Sequence, residues 1–329
     1  MKLRETKGIR GALYRLGQLE KHTTYALRGI KDFTKLRMYN GTRRPSIAAV
    51  VVGRNDDYMP DFEQRLHAAI EWNGQCLVDE VIFIEWNPPP ERELLATKLN
   101  KRFGFVRTYV VPSQIHQAIC QNPRVPLLEF TAKNVGIRRA QAPWIVVTNA
   151  DAAFGTDTVR TILRGPLLTD EVWTAQRVDI PWREGRSGEI GVLDHLRYRR
   201  KVPYDPLGTG EFAFASRQMW ERIRGYDESL TRGRLGNDSR GTAQMRFYGA
   251  KVRRAGTVLH MTHPTSCTEN PGQVQQHHGE TATAERLPYH NADDWGLGNC
   301  REVQLAERVW RLEPPDCDHA ITVSGRGND

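Results

Sequence analysis

The residues best placed to do chemistry are carboxylates and imidazoles that close short apolar runs. Asp151 follows Trp144-Ile-Val-Val-Thr148 by way of Asn149-Ala150, and an acid at the mouth of a buried strand loses hydration and needs a partner. A hard divalent cation bridging a diphosphate is one such partner. It prefers carboxylate and phosphate oxygens and neutralises charge as a diphosphate departs. A turn or a helix cap is the plainer use of Asp151, and of Asn149 beside it. His260 and His263 flank Met261-Thr262 at the end of the run Val258 to Met261. A neutral imidazole is a competent ligand for a manganese-type ion, and each His is equally suited to a structural place in a strand. Cys267, His277 and His278 lie close by in sequence and leave zinc as an alternative metal, on irregular spacing. Asp238 opens a helical stretch, where it can accept a proton from an attacking hydroxyl or simply cap the helix.

The elements that must position these groups are short apolar runs alternating with helical stretches, the pattern of an α/β domain with a mostly parallel sheet. Ile47 to Val52 reads as a buried strand, followed by the polar loop Gly53-Arg54-Asn55-Asp56-Asp57. Phe62, Leu66, Ala69 and Ile70 mark a helix face. Val81 to Glu85 reads as the second strand, and three prolines after Asn87 stop it, which puts Glu85 and Asn87 at a strand's carboxyl end. Phe105 to Val111 and Trp144 to Thr148 are the third and fourth strands, with a helix on Leu128, Ala132 and Val135 between them. Ligands of open parallel sheets sit outside the carboxyl ends of strands, so these polar loop starts converge on one crevice. Further on, Val172 to Ile180, Glu211 to Ala215 and Val258 to Met261 read as strands. Ser216 caps a helix that ends at Gly225, and Asn237 to Tyr248 is a helix that ends at Gly249. A last helix is expected near Val303 to Leu312.

Composition bounds the partners. Residues 1–45 hold twelve Lys/Arg against Glu5, Glu20 and Asp32, an excess of nine, whereas the whole chain carries +8, so the remaining residues are net −1. A near-neutral body with a basic arm suits docking on an anionic surface better than gripping a nucleic acid throughout. The arm (1–45) reads as two short amphipathic helices, either a peripheral anchor on an anionic membrane or an extension packed on the body or on another subunit. No apolar run reaches membrane-spanning length and no signal peptide opens the chain, so the expected place is the cytoplasm, with peripheral contact at the inner membrane surface. Five cysteines without a CxxC pair argue against a disulfide framework. The expected division is the arm, one domain over 46–313 (46–155 on the donor side, 156–313 on the acceptor side) and a flexible tail over 314–329.

In order along the chain, AAVVVGRNDD (48–57), VIFIEWN (81–87), AKNVGIRRA (132–140), WIVVTNADAAF (144–154), GEFAFASRQMWERIRGYDE (210–228) and Asn237-Asp238 resemble the motif series of the bacterial family-two, DXD-type glycosyltransferases, over residues 46–265. The resemblance implies a GT-A fold, with a Rossmann-like nucleotide-binding half and an acceptor-side half. It implies a sugar moved from a nucleotide-diphosphate donor to a saccharide or other hydroxyl acceptor, by inverting displacement with Mn2+ or Mg2+ and without nucleic acid. It assigns Asp151 and His260, with His263 beside it, to the metal, and Asp238 to the base. Arg54, Asp56, Glu85, Asn87, Asn134, Arg138 and Asn149 fall to the donor, and Glu211, Asp227 and Glu228 to the acceptor side. Asn149 and Asn237 stand where the family has acids. A nucleotidyltransferase, or an inert nucleotide-sugar-binding protein of the same fold, is the alternative.

Overall fold

The computed structural model describes residues 45–182, 200–201, 204–207, 210–231, 237–263 and 287–315. The basic arm, the tail beyond 315 and the Cys267, His277 and His278 cluster lie outside the described residues. In chain order the elements are β1 (Ile47–Gly53), α1 (Phe62–Cys76), β2 (Glu80–Trp86), α2 (Leu95–Arg102), β3 (Val106–Val111), α3 (Ser113–Ile119), α4 (Glu129–Arg139), β4 (Trp144–Asn149), β5 (Ala152–Phe154), α5 (Thr156–Arg164) and β6 (Glu171–Pro181). They continue with β7 (Arg200–Lys201), β8 (Phe212–Ser216), α6 (Arg217–Ile223), α7 (Asn237–Phe247), β9 (Lys251–Thr262), β10 (Arg301–Ala306) and β11 (Val309–Glu313).

One sheet joins all the strands in the order β10-β11-β3-β2-β1-β4-β8-β6-β9-β5, with β7 beside β6. The run β3-β2-β1-β4 is parallel. Beyond β4 the sheet is mixed: β8 is antiparallel to β4, β6 is antiparallel to β8, and β9 runs parallel to β6. The expected mixed α/β architecture with helices on a mostly parallel core sheet is therefore what the chain adopts. The central strand β1 is buried along its whole length, which explains why Ile47 to Val52 is continuously apolar rather than alternating. Its even residues Ala48, Val50 and Val52 pack with Ala132 and Val135 of α4; its odd residues Ile47, Ala49 and Val51 pack with Phe62, Leu66 and Ile70 of α1. Gly136 lets α4 lie close on this sheet, since a Cβ there would stand 2.5 Å from Val50 Cγ1.

Two expectations about the second half are corrected. The segment near Val303 to Leu312 is not a helix but the hairpin β10–β11, whose β11 extends the parallel sheet along β3. Arg308 turns it with φ 59°, and Val303/Leu305 and Trp310/Leu312 alternate at period two. Strand β9 is longer than the run Val258 to Met261, because Lys251 to Thr257 pairs residue for residue with β6. That pairing slips by one residue between Thr174 and Ala175, where Arg254 and Gly256 are the successive partners and Ala255 is extra, a β-bulge. Ser216 caps α6 as expected, accepting from Met219 N at 3.2 Å. Among the described residues no helix is long and apolar enough to cross a membrane, and Cys76, Cys120 and Cys300 are free thiols.

Candidate functional site

The carboxyl ends of β1, β4 and β6, the end of β9 and the start of β8 meet at one edge of the sheet. Asp151 lies in the two-residue connection between β4 and β5 and is 4% exposed. β5 pairs with β9 so that Ala152 stands opposite His260, which brings His260 Nε2 to 3.1 Å and His263 Nε2 to 2.9 Å from Asp151 Oδ2. Oδ2 is buried between these two imidazole nitrogens, and among the described residues no well-aligned hydrogen-bond donor satisfies it. One potential ligand atom from each of the three residues lies within 4.8 Å of the other two. A carboxylate oxygen and two imidazole nitrogens gathered in this way fit a divalent ion of the manganese or zinc type. Burial alone would raise the Asp151 pKa, but the two imidazoles outweigh it and hold the carboxyl well below the usual range.

Residues that the sequence reading did not single out complete this side. Asp179, paired in register with His260, has its Oδ1 3.2 Å from His260 Nδ1. Asp179 asks Nδ1 for a proton and the Arg177 guanidinium, which can only donate, asks it for a lone pair, so the two neighbours favour opposite tautomers; the Nδ1–H form is the one that leaves the Nε2 lone pair for a metal. Arg177 bridges the acids: Nε to Asp179 Oδ1 at 2.7 Å, Nη1 to Glu211 Oε1 at 2.8 Å, and Nη2 against His260 Nδ1 at 2.9 Å. Its pKa is raised, because burial works against the charge and Glu211 and Asp179 outweigh it. The signal was present in the sequence, since Arg177 and Asp179 alternate with Val178 and Ile180 and so share a face of the strand.

On the neighbouring flank stand Asn149, Glu211 and Asp238. Glu211 is 4% exposed, with Oε2 unpartnered among the described residues, and its carbonyl accepts from Thr148 Oγ1 at 2.7 Å. Asp238 is on the first turn of α7, and its Oδ2 lies 3.0 Å from where a Cβ on Gly210 would be. Gly210 has φ +81°, a conformation that suits glycine. Burial pushes the Asp238 carboxyl up to about 6; the Ser239 N–H and Lys133 work against that rise, and Glu129 and Glu211 add to it. Lys133, fully buried on α4, reaches this flank too, donating to Glu129 Oε1 at 2.7 Å, Asn149 Oδ1 at 3.0 Å and the Gly210 carbonyl at 3.2 Å.

Behind β1 and β2, Arg54, Asn55, Asp57, Phe62, Arg92 and Lys98 are among the residues lining an open cleft of about 490 Å³. Arg54 pairs with Asp56 at 3.0 Å and lies over the Tyr58 ring at 4.1 Å. Glu85 stands at the floor of these loops, fully buried, accepting from Leu95 N at 3.1 Å, Ala96 N at 2.8 Å and Asn55 Nδ2 at 3.0 Å. Burial raises its pKa, against the pull of those donors. It anchors the start of α2 and positions Asn55, rather than offering a free carboxylate to a ligand.

Four expected site residues are held elsewhere. α4 connects the parallel strands β3 and β4, so it runs against them, and its last turn lies at the edge opposite the crevice. Arg138 is on that turn, donating to the carbonyls of Asp293 at 2.9 Å and Trp295 at 3.1 Å. Asn134 is fully buried; it donates to the Tyr226 carbonyl and Glu228 Oε1 and accepts from Tyr226 N, fastening α4 to the segment before α7. Asp227 pairs with Arg240 at 2.7 Å, and Glu228 accepts from Asn134 Nδ2 at 3.0 Å and from Gly296 N at 2.8 Å. Asn237 turns inward as well, its amide donating to the Asp227 carbonyl at 2.8 Å. Asn87 has φ 51° and donates weakly to the Pro126 carbonyl at 3.4 Å.

No family model and no curated protein matches the chain. Among solved structures it is similar to GalNAc-T7 with UDP, GalNAc and Mn2+, with a TM-score of 0.46 and 14% identity over 67% of this chain. It spans 44% of that protein's length. It is also similar to the mannosyltransferase PcManGT from Pyrobaculum calidifontis in complex with GDP-Man and Mn2+, with a TM-score of 0.43 and 17% identity over 76% of this chain and 68% of that one. At such distances the reading of function rests on this chain's own geometry.

Proposed function

We propose that the protein is a metal-dependent glycosyltransferase of the GT-A type, moving a sugar from a nucleotide-diphosphate donor to an acceptor hydroxyl with inversion. The observation that carries the reading is the Asp151, His260 and His263 cluster at the carboxyl edge of the sheet, in the same crevice as a half-buried carboxyl pushed up to about 6, Asp238. The cleft behind β1 and β2 suits the nucleoside, with Arg54 and Arg92 on its walls. Asp151, His260 and His263 would hold a divalent ion, which when bound supplies charge neutralisation for a departing diphosphate. Asp238, deprotonated above about pH 6, accepts the acceptor hydroxyl's proton as that oxygen attacks the anomeric carbon. Glu211 and Arg177 line the same edge and suit contacts to sugar hydroxyls.

The test is a thermal-shift and calorimetric screen of nucleoside diphosphates and nucleotide-sugars with and without Mn2+, followed by detection of free nucleoside diphosphate on turnover. Selective stabilisation that requires both metal and nucleotide supports the reading; ligand at a hundred times its Kd adds about 2.7 kcal/mol. No stabilisation by any metal and nucleotide combination overturns it. Binding without turnover of any donor and acceptor pair leaves the inert binding protein instead.

A further inference from the structure

Asn149 ends β4 and Asp151 lies two residues on, in the connection to β5, yet their side chains serve different partners. Asp151 faces His260 and His263 from β9 and its end, whereas Asn149 Oδ1 accepts from Lys133 Nζ of α4 at 3.0 Å. An ammonium group has three N–H donors and no acceptor, and all three of Lys133's are spent, on Glu129, Asn149 and the Gly210 carbonyl. Two consequences follow from the donor count. Lys133 has no hydrogen left for a substrate oxygen, so it is not itself a phosphate-binding lysine. Because Lys133 can only donate, the Asn149 amide must turn its oxygen inward and its NH2 outward, and that NH2 has no partner among the described residues.

We infer that Lys133 is a positioning residue that fixes Asn149 as a hydrogen-bond donor to the nucleotide-diphosphate ligand, at a phosphate or ribose oxygen, and takes residue 149 out of the metal's coordination shell. The inference rests on the function proposed above and sharpens it: the metal site is the Asp151, His260 and His263 set alone, and the replacement of a carboxylate by Asn149 is an exchange of roles rather than a weakened chelate. An aspartate at 149 would pair with Lys133 across the same 3.0 Å gap, its charge neutralised before any metal arrives.

The experiment titrates Mn2+ alone, followed by electron paramagnetic resonance, and then UDP, GDP, ADP and dTDP with Mn2+ present, followed by calorimetry. The proteins are the full wild-type chain, Asn149→Asp, Asn149→Ala, Lys133→Met and Lys133→Arg. Both Asn149 variants are expected to keep the metal-alone affinity within threefold of wild type. Asn149→Ala and Lys133→Met should lose tenfold or more in affinity for the nucleotide that wild type prefers, and Lys133→Arg, which keeps a cationic donor, should restore most of it. Should Lys133→Met not fold, the Asn149→Ala titration decides. Asn149→Asp tightening Mn2+ tenfold or more would put residue 149 among the ligands and overturn the inference, as would Asn149→Ala binding nucleotide like wild type. Wild-type protein that takes up Mn2+ neither alone nor with any of the four nucleotides is read off the same titrations and overturns the functional reading itself, and this inference with it.

Discussion

Asp238 faces two demands at one carboxyl, to begin α7 and to take a proton, and the two separate on substitution. Asn keeps an oxygen that can accept from the Ser239 N–H but cannot take up a proton, so Asp238→Asn should leave the melting temperature near wild type while kcat falls roughly a hundredfold or more. The pH profile carries the same information: with the carboxyl pushed up to about 6, wild-type kcat/KM should rise as pH passes through about 6 and then level. A rate flat between pH 5 and 8 would remove Asp238 from the base role. At Asp151, replacement by Ala should abolish Mn2+-dependent thermal stabilisation by nucleoside diphosphate and leave the apo fold in place; an unchanged metal response would place the ion elsewhere. The meeting of Asp151, His260 and His263 was legible in the sequence because each member closes an apolar run, and strand ends collect at one edge. Arg138 and Asn134 were not. A helix motif names a face without telling which end of the helix meets the crevice, and the answer depends on the direction in which α4 crosses the sheet. Lys133, one residue before Asn134, reaches the crevice instead.

Among the elements, α4 is the one whose seating governs the site, since it carries Lys133 and Glu129 and lies on β1 through Gly136. Gly136→Ala sets two effects against each other. Alanine gains about 1 kcal/mol of helix propensity over glycine, but its Cβ would sit 2.5 Å from Val50 Cγ1 in a buried, well-packed layer, and overpacking of this kind costs about 1–3 kcal/mol. The clash should win: a lower melting temperature together with weaker nucleotide binding, as α4 moves off the sheet. A variant at least as stable as wild type would show that the layer has slack. The parallel strands β1 to β4 were readable because burial on both faces leaves unbroken apolar runs. The β10–β11 hairpin was not, because Val303, Leu305, Val309 and Leu312 fit helical and extended spacing alike over so short a stretch, and long-range pairing with β3 decides between them.

For the whole molecule, one buried acid sets a pH dependence of stability. Glu228, fully enclosed between α4 and the segment around Gly296, is pushed by burial up to about 7, against the opposing hydrogen bonds from Asn134 and Gly296. Its folded pKa lies above the unfolded value near 4.5, so the native state holds the proton more tightly. The associated stability is complete below about pH 4 and is lost as pH rises toward 7, to the extent of about 3 kcal/mol. Glu228→Gln should flatten that slope in denaturant titrations at pH 4.5 and 7.5; an undiminished slope would assign it to another group. The charge division of the chain, an arm with nine excess positive charges on a body of net −1, predicts salt-sensitive sedimentation with anionic vesicles and none with neutral ones. Each Lys or Arg near such a surface is worth about 1 kcal/mol. Equal binding to both vesicle types would leave the arm as a packing element.

The bulge at Ala255 absorbs one residue without moving the site. Strand side chains alternate, so an extra residue kept inside the ladder would invert which of the following residues face each side. With Ala255 held out of the ladder, Arg254 stays opposite Thr174 and His260 opposite Asp179, next to Asp151, so both halves of the strand keep their register. Gly256 keeps the insertion in place, with φ +150° and a virtual Cβ 2.7 Å from Thr158 N, where no side chain fits. A strand that joined Arg254 directly to Gly256 would keep every partner on both sides of the bulge, so the imidazole's place beside Asp151 depends on the ladder from Gly256 onward and not on Ala255 itself.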